Sequence, residues 1–472
     1  MKIRKLFCAF AVCALITASF SSCSDDDEKD ELRVPSEVVA NLSFQDTDPD
    51  VLKIGGTASW DLPASEENVT NYVIYLGGGP TDKATKLGEV AAGKTSFEIP
   101  AGTDFNTNLL VVAKNVVGES GNITSISVKD ISVSEPEPEP EPATAGYYIL
   151  NRGNYNANNA SISYFDVAAN KLTPNYYQSV NGKALGSDAE QMFVYGSKIY
   201  VSVTSSNRIA VLDMTGKEIK EFTPKTSAGE PVNPRCFTAL DGKVYVSYFY
   251  SSSVAVLDTA SLELEKEISL GTVKDKDGKE SSRYPEQLTV ANGKVYVALS
   301  EYGAGKYVAV IDPVSAKVEK EIEVVVNPTN LAASSKGDVY VISMGNYGDI
   351  KNTLQRIDAS GNVTTLGNGS KMSLVNDKLY VAYAQYGDPT PTFKMYDALT
   401  GTVESENLIS DGTTLSNPNS IDVDPLTGNI FISNAPYGET GTMYIFDPEG
   451  KKVGEPFDTG GYDTQKVVFL TK

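Results

Sequence analysis

Seven short apolar strands recur along the last two-thirds of the chain. They read Tyr147-Tyr148-Ile149-Leu150, Lys198-Ile199-Tyr200-Val201, Lys243-Val244-Tyr245-Val246, Lys294-Val295-Tyr296-Val297, Asp338-Val339-Tyr340-Val341, Lys378-Leu379-Tyr380-Val381 and Asn429-Ile430-Phe431-Ile432. A spacing of about 40–52 residues suits one four-stranded sheet per copy. Each copy is followed by a second apolar strand ending in aspartate, at Asp166, Asp213, Asp258, Asp312, Asp358, Asp397 and Asp447. An aspartate at a strand-to-turn junction hydrogen-bonds its own turn, so these seven are expected to be structural and not a carboxylate cluster. The first copy lacks the strand that precedes the others, and Gln465-Lys466-Val467-Val468-Phe469-Leu470 is left over at the end. That strand is expected to complete the first unit, closing a ring and removing exposed sheet edges. The pattern predicts an all-β chain in which residues 146–472 form a seven-bladed β-propeller.

Residues 34–133 carry a different pattern of short strands and turns. Trp60 precedes Asn71-Tyr72-Val73-Ile74-Tyr75-Leu76, and a last strand runs from Leu109 through Ala113, Asn115 and Gly118 to Ser120. This order resembles a fibronectin type III sandwich, with Leu109 where that family usually has tyrosine. About a hundred residues suffice for one such core, and its expected role is that of a spacer. Between the two domains, residues 134–145 hold the run Glu135 to Pro142, alternating glutamate and proline, a stiff, extended and self-repelling linker.

The first 22 residues have the pattern of a signal peptide. Lys2, Arg4 and Lys5 give a cationic start, Leu6 to Phe20 a short apolar stretch, and Ser21-Ser22 small residues before Cys23. The apolar stretch is too short for a membrane span. A cysteine at that place resembles the lipobox of bacterial lipoproteins, which makes Cys23 the expected lipidation site. Residues 23–33 form an acidic tether beginning Ser24-Asp25-Asp26-Asp27-Glu28, similar to the surface-export signal of Bacteroidetes lipoproteins. The expected location is the extracellular face of the outer membrane, held by lipid alone.

Charge and composition narrow the chemistry. The net charge of −21 argues against nucleic acid, which needs lysine- and arginine-rich surfaces. The chain has no histidine, the usual base near neutral pH and the commonest metal ligand. Serine-hydrolase triads, histidine-based zinc sites and histidine-ligated haem are therefore excluded within it. Cys8 and Cys13 lie in the signal segment, leaving Cys236, expected to be a buried, inert thiol. No Walker loop, paired-cysteine motif or nucleophile elbow is present. No catalytic residue, metal or cofactor is expected; enzymes that work through carboxylates alone stay open.

Two sets of loops are expected to reach one face of the ring. Those leading into the innermost strands carry Asp188 and Glu190, Asn233 and Arg235, Tyr284 and Glu286, Asn327 and Asn330, Asn417 and Asn419, and Asp463. A neighbouring proline, where present, fixes the backbone and so the direction of the side chain beside it. The second set repeats an aromatic: Asn154-Tyr155, Tyr248 with Tyr250, Tyr302, Tyr347, Tyr386 and Tyr437. Tyrosine offers a flat apolar face and a hydroxyl at low conformational cost, and amides add uncharged donors and acceptors. Such a rim suits a large, flat, polar-edged molecule such as a corrinoid, a siderophore or a sugar chain.

The array as a whole resembles the YncE-type propellers of Bacteroidetes surface lipoproteins. The segments that carry the likeness are Tyr148 to Asn154, Val194 to Val201, and Asn417 to Gly428. Within that group it is most similar to the BtuG-like, cobalamin-binding branch. The resemblance implies capture of a corrinoid and its delivery to a TonB-dependent outer-membrane transporter. Alternatives are capture of a ferric siderophore or glycan, or a carboxylate-dependent propeller enzyme such as a lactonase, with Asp188, Glu190, Glu286 and Asp463 as its acidic groups.

Overall fold

A computed structural model describes residues 33–132, 142–274, 277–385, 390–436 and 438–471. The expectations for the signal segment, Cys23, most of the tether and the Glu-Pro run concern residues outside this set, as do those for Tyr386 and Tyr437. The chain divides into two compact units, Met1–Pro140 and Glu141–Lys472. Nearly all of the described structure is β; the single α-helix among the described residues spans Tyr176–Asn181. No described helix is long and apolar enough to cross a membrane.

The smaller unit packs a three-stranded sheet (Ala40–Ser43, Lys53–Asp61, Ser96–Asp104) on a four-stranded one. The second sheet is ordered Thr85–Ala91, Asn71–Gly77, Asn108–Lys114, Thr124–Ser127. Alternate residues face inward, so Trp60, Tyr72, Ile74, Leu109 and Val111 share one core. Trp60 meets Tyr72 edge-on, with ring centroids 6.0 Å apart, and the Tyr72 hydroxyl donates to Glu66 at 2.6 Å.

The larger unit holds seven four-stranded antiparallel sheets among the described residues. Their innermost strands are Thr464–Thr471, Ala189–Tyr195, Pro234–Leu240, Pro285–Ala291, Pro328–Ala333, Lys371–Val375 and Pro418–Val423, numbered here as sheets one to seven. Each innermost strand touches the next, and the seventh touches the first, so the contacts close on themselves. This is a propeller-like ring. The repeated apolar strand is second from the centre and is almost wholly buried, as in Lys198–Val203 and Lys243–Tyr248. Its aromatic residue packs against the adjacent sheet: Tyr200 joins Phe237, Val246 and Tyr248 in one cluster. Burial of this kind is worth roughly 25 cal/mol per Å² of apolar surface, and a β-branched or aromatic residue fits the pleat on both faces.

Closure joins the chain's two ends within the unit. Thr464–Thr471 pairs antiparallel with Thr144–Asn151, so the first sheet takes its innermost strand from the C-terminal segment. The joint is polar and buried. Asn151 Nδ2 donates to the Thr459 carbonyl at 3.3 Å, and Thr464 Oγ1 donates to Asn151 Oδ1 at 2.8 Å. Gly461 is required beside it, since a Cβ there would lie 2.6 Å from the Asn151 Cβ.

The seven repeated aspartates each accept backbone N–H groups of their own turn. Asp213 takes Thr215 and Lys217, Asp258 takes Ala260 and Ser261, and Asp358 takes Ser360 and Asn362. Asp166, Asp312, Asp397 and Asp447 bond Ala169, Val314, Leu399 and Lys451. The carboxylates are spent on turn geometry.

Candidate functional site

Five of the seven innermost strands are entered through an unusual backbone conformation. Asp188, Asn233, Tyr284, Asn327 and Asp463 have φ of 64°, 55°, 46°, 66° and 55°, the left-handed region that asparagine and aspartate tolerate best. Proline follows three of them, fixing the next φ. Two residues beyond each lie Glu190, Arg235, Glu286, Thr329 and Gln465, and all five line a central cavity of about 380 Å³. Lys371 lines the same cavity from sheet six, where Gly369-Ser370 stands in place of the left-handed residue and proline.

One side of the channel is a chain of alternating charges. Arg152, which follows the second strand of sheet one, donates from Nε to Asp188 at 2.5 Å and lies 3.4 Å from Glu190. Its Nη1 is 3.6 Å from Asp463. Arg235 bridges Glu190 at 3.3 Å and Glu286 at 2.6 Å. Burial opposes ionisation of Glu190, but Arg235, Arg152 and Lys371 overcome it and hold its carboxyl below the usual range. Glu286 goes the other way, because burial outweighs its bond to Arg235 and pushes the carboxyl up. Coulombic attraction to neighbouring carboxylates holds both guanidinium groups firmly charged. Further along the channel Lys466 pairs with Asp422. Cys236 lines the wall between these groups, its thiol pushed well up by burial.

The mouth above sheets three to five is aromatic. Tyr284 packs against Phe249, Tyr250 and Tyr302 with centroids 5.0, 5.8 and 5.3 Å away. The Arg235 guanidinium lies 4.6 Å from the Phe249 centroid, tying this cluster to the charged chain below. Tyr347 continues the arc, its hydroxyl accepting from Asn327 Nδ2 at 3.2 Å, and it also lines the cavity. Tyr302 and Tyr347 are 76% and 78% exposed and Tyr250 53%. Exposed aromatic residues that adjoin one another are the kind of surface feature that interaction sites use. Partial burial, with Tyr302, Tyr155 and Tyr284 close by, raises the Tyr250 phenol.

The residues expected from sequence divide into three groups. Glu190, Arg235, Glu286, Asn330 and Tyr347 line the cavity, while Tyr250, Tyr284 and Tyr302 form the arc beside it and Asp188 and Asp463 brace Arg152. A second group is turned to structural work. Asn233 Nδ2 donates to the Thr204 carbonyl at 2.8 Å, Asn417 to Ser416 at 3.3 Å, and Asn419 to Asp463 and the Thr464 carbonyl. The backbone N–H of Asn154 donates to Asn159 at 2.8 Å, and Tyr155 beyond it is exposed. Tyr248 corrects the expectation: it is 1% exposed, because it is the last residue of a second strand and faces the sheet-two interface. The rim aromatic of that sheet is Tyr250.

Four groups were missed. Lys371 escaped because sheet six lacks the proline motif, although counting from its repeated strand Lys378 to Val381 would have reached it. Arg152 and the pair Asp422 and Lys466 sit inside strands or just after them, where alternation alone marks inward positions. Among the described residues no three carboxylates, cysteines or histidines converge as a metal site. The four acidic candidates meet arginines instead of one another.

Fold and site together define an all-β propeller-type protein with a polar, charge-paired channel and an aromatic mouth. The chain belongs to the family described as domain of unknown function DUF5074, whose model matches residues 145–456. No curated protein matches it. Among solved structures it is similar to a quinonprotein alcohol dehydrogenase-like protein of Bacteroides thetaiotaomicron, at 15% identity over 94% of this chain and 98% of the other, with a TM-score of 0.50. It is also similar to the periplasmic gluconolactonase of Pseudomonas aeruginosa, at 13% identity over 69% of this chain and 99% of the other, with a TM-score of 0.50. At such identities the likeness is one of fold.

Proposed function

We propose that this protein is a surface-anchored binding lipoprotein that captures a corrinoid at its aromatic mouth and hands it to a TonB-dependent outer-membrane transporter. In this reading the seven sheets are the blades of a seven-bladed propeller, the smaller unit is a fibronectin type III-like spacer, and Cys23 carries the lipid. The observation that carries it is the arc of Tyr250, Tyr284, Tyr302 and Tyr347 beside a channel of polar side chains. A corrin ring is broad and flat with amides around its edge, and stacking plus edge hydrogen bonds is what such an arc supplies. The cavity of about 380 Å³ is too small for a whole macrocycle, so the ring lies across the mouth with one appended group entering the channel.

The protein is read as a binder and not an enzyme. A lactonase reading draws on the gluconolactonase likeness, but its acidic candidates each lie within 2.5 to 3.6 Å of an arginine. A ferric siderophore or glycan remains the alternative ligand. Titration calorimetry with cyanocobalamin, a ferric siderophore and neutral oligosaccharides tests the proposal. Saturable heat with cyanocobalamin alone supports it, and heat with another member of the panel replaces the ligand. Hydrolysis of a lactone by the purified protein would remove the binder reading.

A further inference from the structure

The channel holds four cations, and three of them are committed. Arg152 and Arg235 are locked to carboxylates and Lys466 is paired with Asp422. Lys371 lines the same cavity, and its ammonium makes no ion pair or hydrogen bond among the described residues. The nearby carboxylates that attract it, Glu190 and Asp463, are bonded to Arg152, Arg235 and Asn419. In the adjoining sheets Thr329 donates to Asn330 at 3.1 Å, Asn419 is turned to Asp463 and the Thr464 carbonyl, and the Asp422 carboxylate is held by Lys466. On one side of the channel the carboxylates share two arginines, and on the other the Lys371 ammonium is left outside those pairs. Burial lowers the Lys371 ammonium, attraction by Glu190 and Asp463 opposes this, and repulsion from Arg152 and Arg235 adds to it. A partly buried charge outside any ion pair costs free energy that an incoming counter-ion recovers.

We propose that Lys371 is an anion subsite, and that the ligand held at this mouth carries a phosphate or carboxylate group that enters the channel and pairs with its ammonium. This rests on reading the mouth as a binding site, but not on the ligand being a corrinoid. An ammonium on a flexible stem suits a point-charge contact with either oxyanion.

The test is competitive acetylation of the full chain, using trace acetic anhydride near neutral pH and peptide mass spectrometry. The rate at Lys371 is measured in sodium chloride, then in inorganic phosphate or acetate at equal ionic strength, with exposed Lys94 and Lys451 as internal controls. Pairing with an anion holds the amine protonated, so acetylation at Lys371 slows several-fold with no change at the controls. The anion that protects better names the group. No selective protection by either anion overturns the proposal, as does a Lys371 that acetylates too slowly to measure. A further arm separates this from the corrinoid reading. Cyanocobalamin, which carries a phosphodiester, protects Lys371, whereas cobinamide, which lacks it, does not. If calorimetry gives no heat with cyanocobalamin the corrinoid falls, and the two inorganic arms still decide the anion subsite.

Discussion

Arg235 donates from Nε to Glu286 at 2.6 Å, across the boundary between two neighbouring sheets of the ring. The same guanidinium reaches Glu190 on the other side, so one side chain spans three sheets. Removing it leaves the buried Glu286 carboxylate without its ion-pair partner and Glu190 with Arg152 alone. Arg235→Met is expected to destabilise the larger unit by about 3 kcal/mol, the usual cost of breaking a buried pair from one side. Adding Glu286→Gln should recover a good part of that loss. Chemical denaturation followed by tryptophan-independent far-UV circular dichroism reads both; equal stability of wild type and Arg235→Met would show that the bridge carries nothing.

The two glutamates on Arg235 respond oppositely to acid. Glu190 is held below its ordinary value by Arg235 and Arg152 against the opposing effect of burial, so its contribution is present above the unfolded glutamate pKa of about 4.3. That contribution is lost as pH falls through the depressed folded value. Glu286 is raised by burial, so it favours the folded state more as pH drops. The stability gap between wild type and Glu190→Gln should therefore narrow as pH falls from about 5 to 3. Denaturant midpoints across that range check this, and a gap that widens in acid contradicts it.

Tyr248 and Tyr302 come from equivalent stretches of sequence and have opposite fates. Tyr248→Ala opens a cavity between sheets two and three and should cost about 3–5 kcal/mol. Tyr302→Ala removes an exposed ring and should change stability by no more than about 0.5 kcal/mol. Thermal unfolding of the two variants side by side checks the contrast.

Closure of the ring by the C-terminal strand makes a fourth prediction. Deleting residues 464–472 strips the innermost strand from sheet one and exposes the Thr144–Asn151 edge. The truncated chain is expected to aggregate or to unfold non-cooperatively. Asn151→Ala is milder, leaving the buried Thr464 hydroxyl and Thr459 carbonyl short of a partner at a cost of about 1–3 kcal/mol. Size-exclusion chromatography and calorimetric unfolding distinguish the two outcomes.

Much of the ring was legible because its period is local. The second strands repeat an apolar core, the aspartates repeat a turn, and the surplus strand after Tyr462 had one place to go. The site was legible only in part, for a physical reason. Asn-Pro and Tyr-Pro mark where innermost strands begin, and they led to Arg235 and Glu286. The amides beside those prolines are nevertheless engaged by neighbouring groups, as Asn233 is by the Thr204 carbonyl and Asn417 by the Ser416 hydroxyl, and composition does not reveal that. Arg152, Lys371 and Lys466 depend on which face of a strand points inward once seven sheets meet, a relation between residues hundreds of positions apart. Tyr248 and Tyr250 differ by two positions at the end of a strand, where the chain leaves the sheet, and alternation no longer separates inside from outside.

The central claim is that the aromatic arc is a ligand-binding surface, and calorimetric titration of cyanocobalamin into wild type and into the double variant Tyr302→Ala/Tyr347→Ala tests it most directly. The account predicts saturable binding to wild type and at least a tenfold weaker affinity in the double variant, about 1.4 kcal/mol, with an unchanged melting temperature. Absence of heat with wild type, or equal affinity in the two proteins, contradicts it.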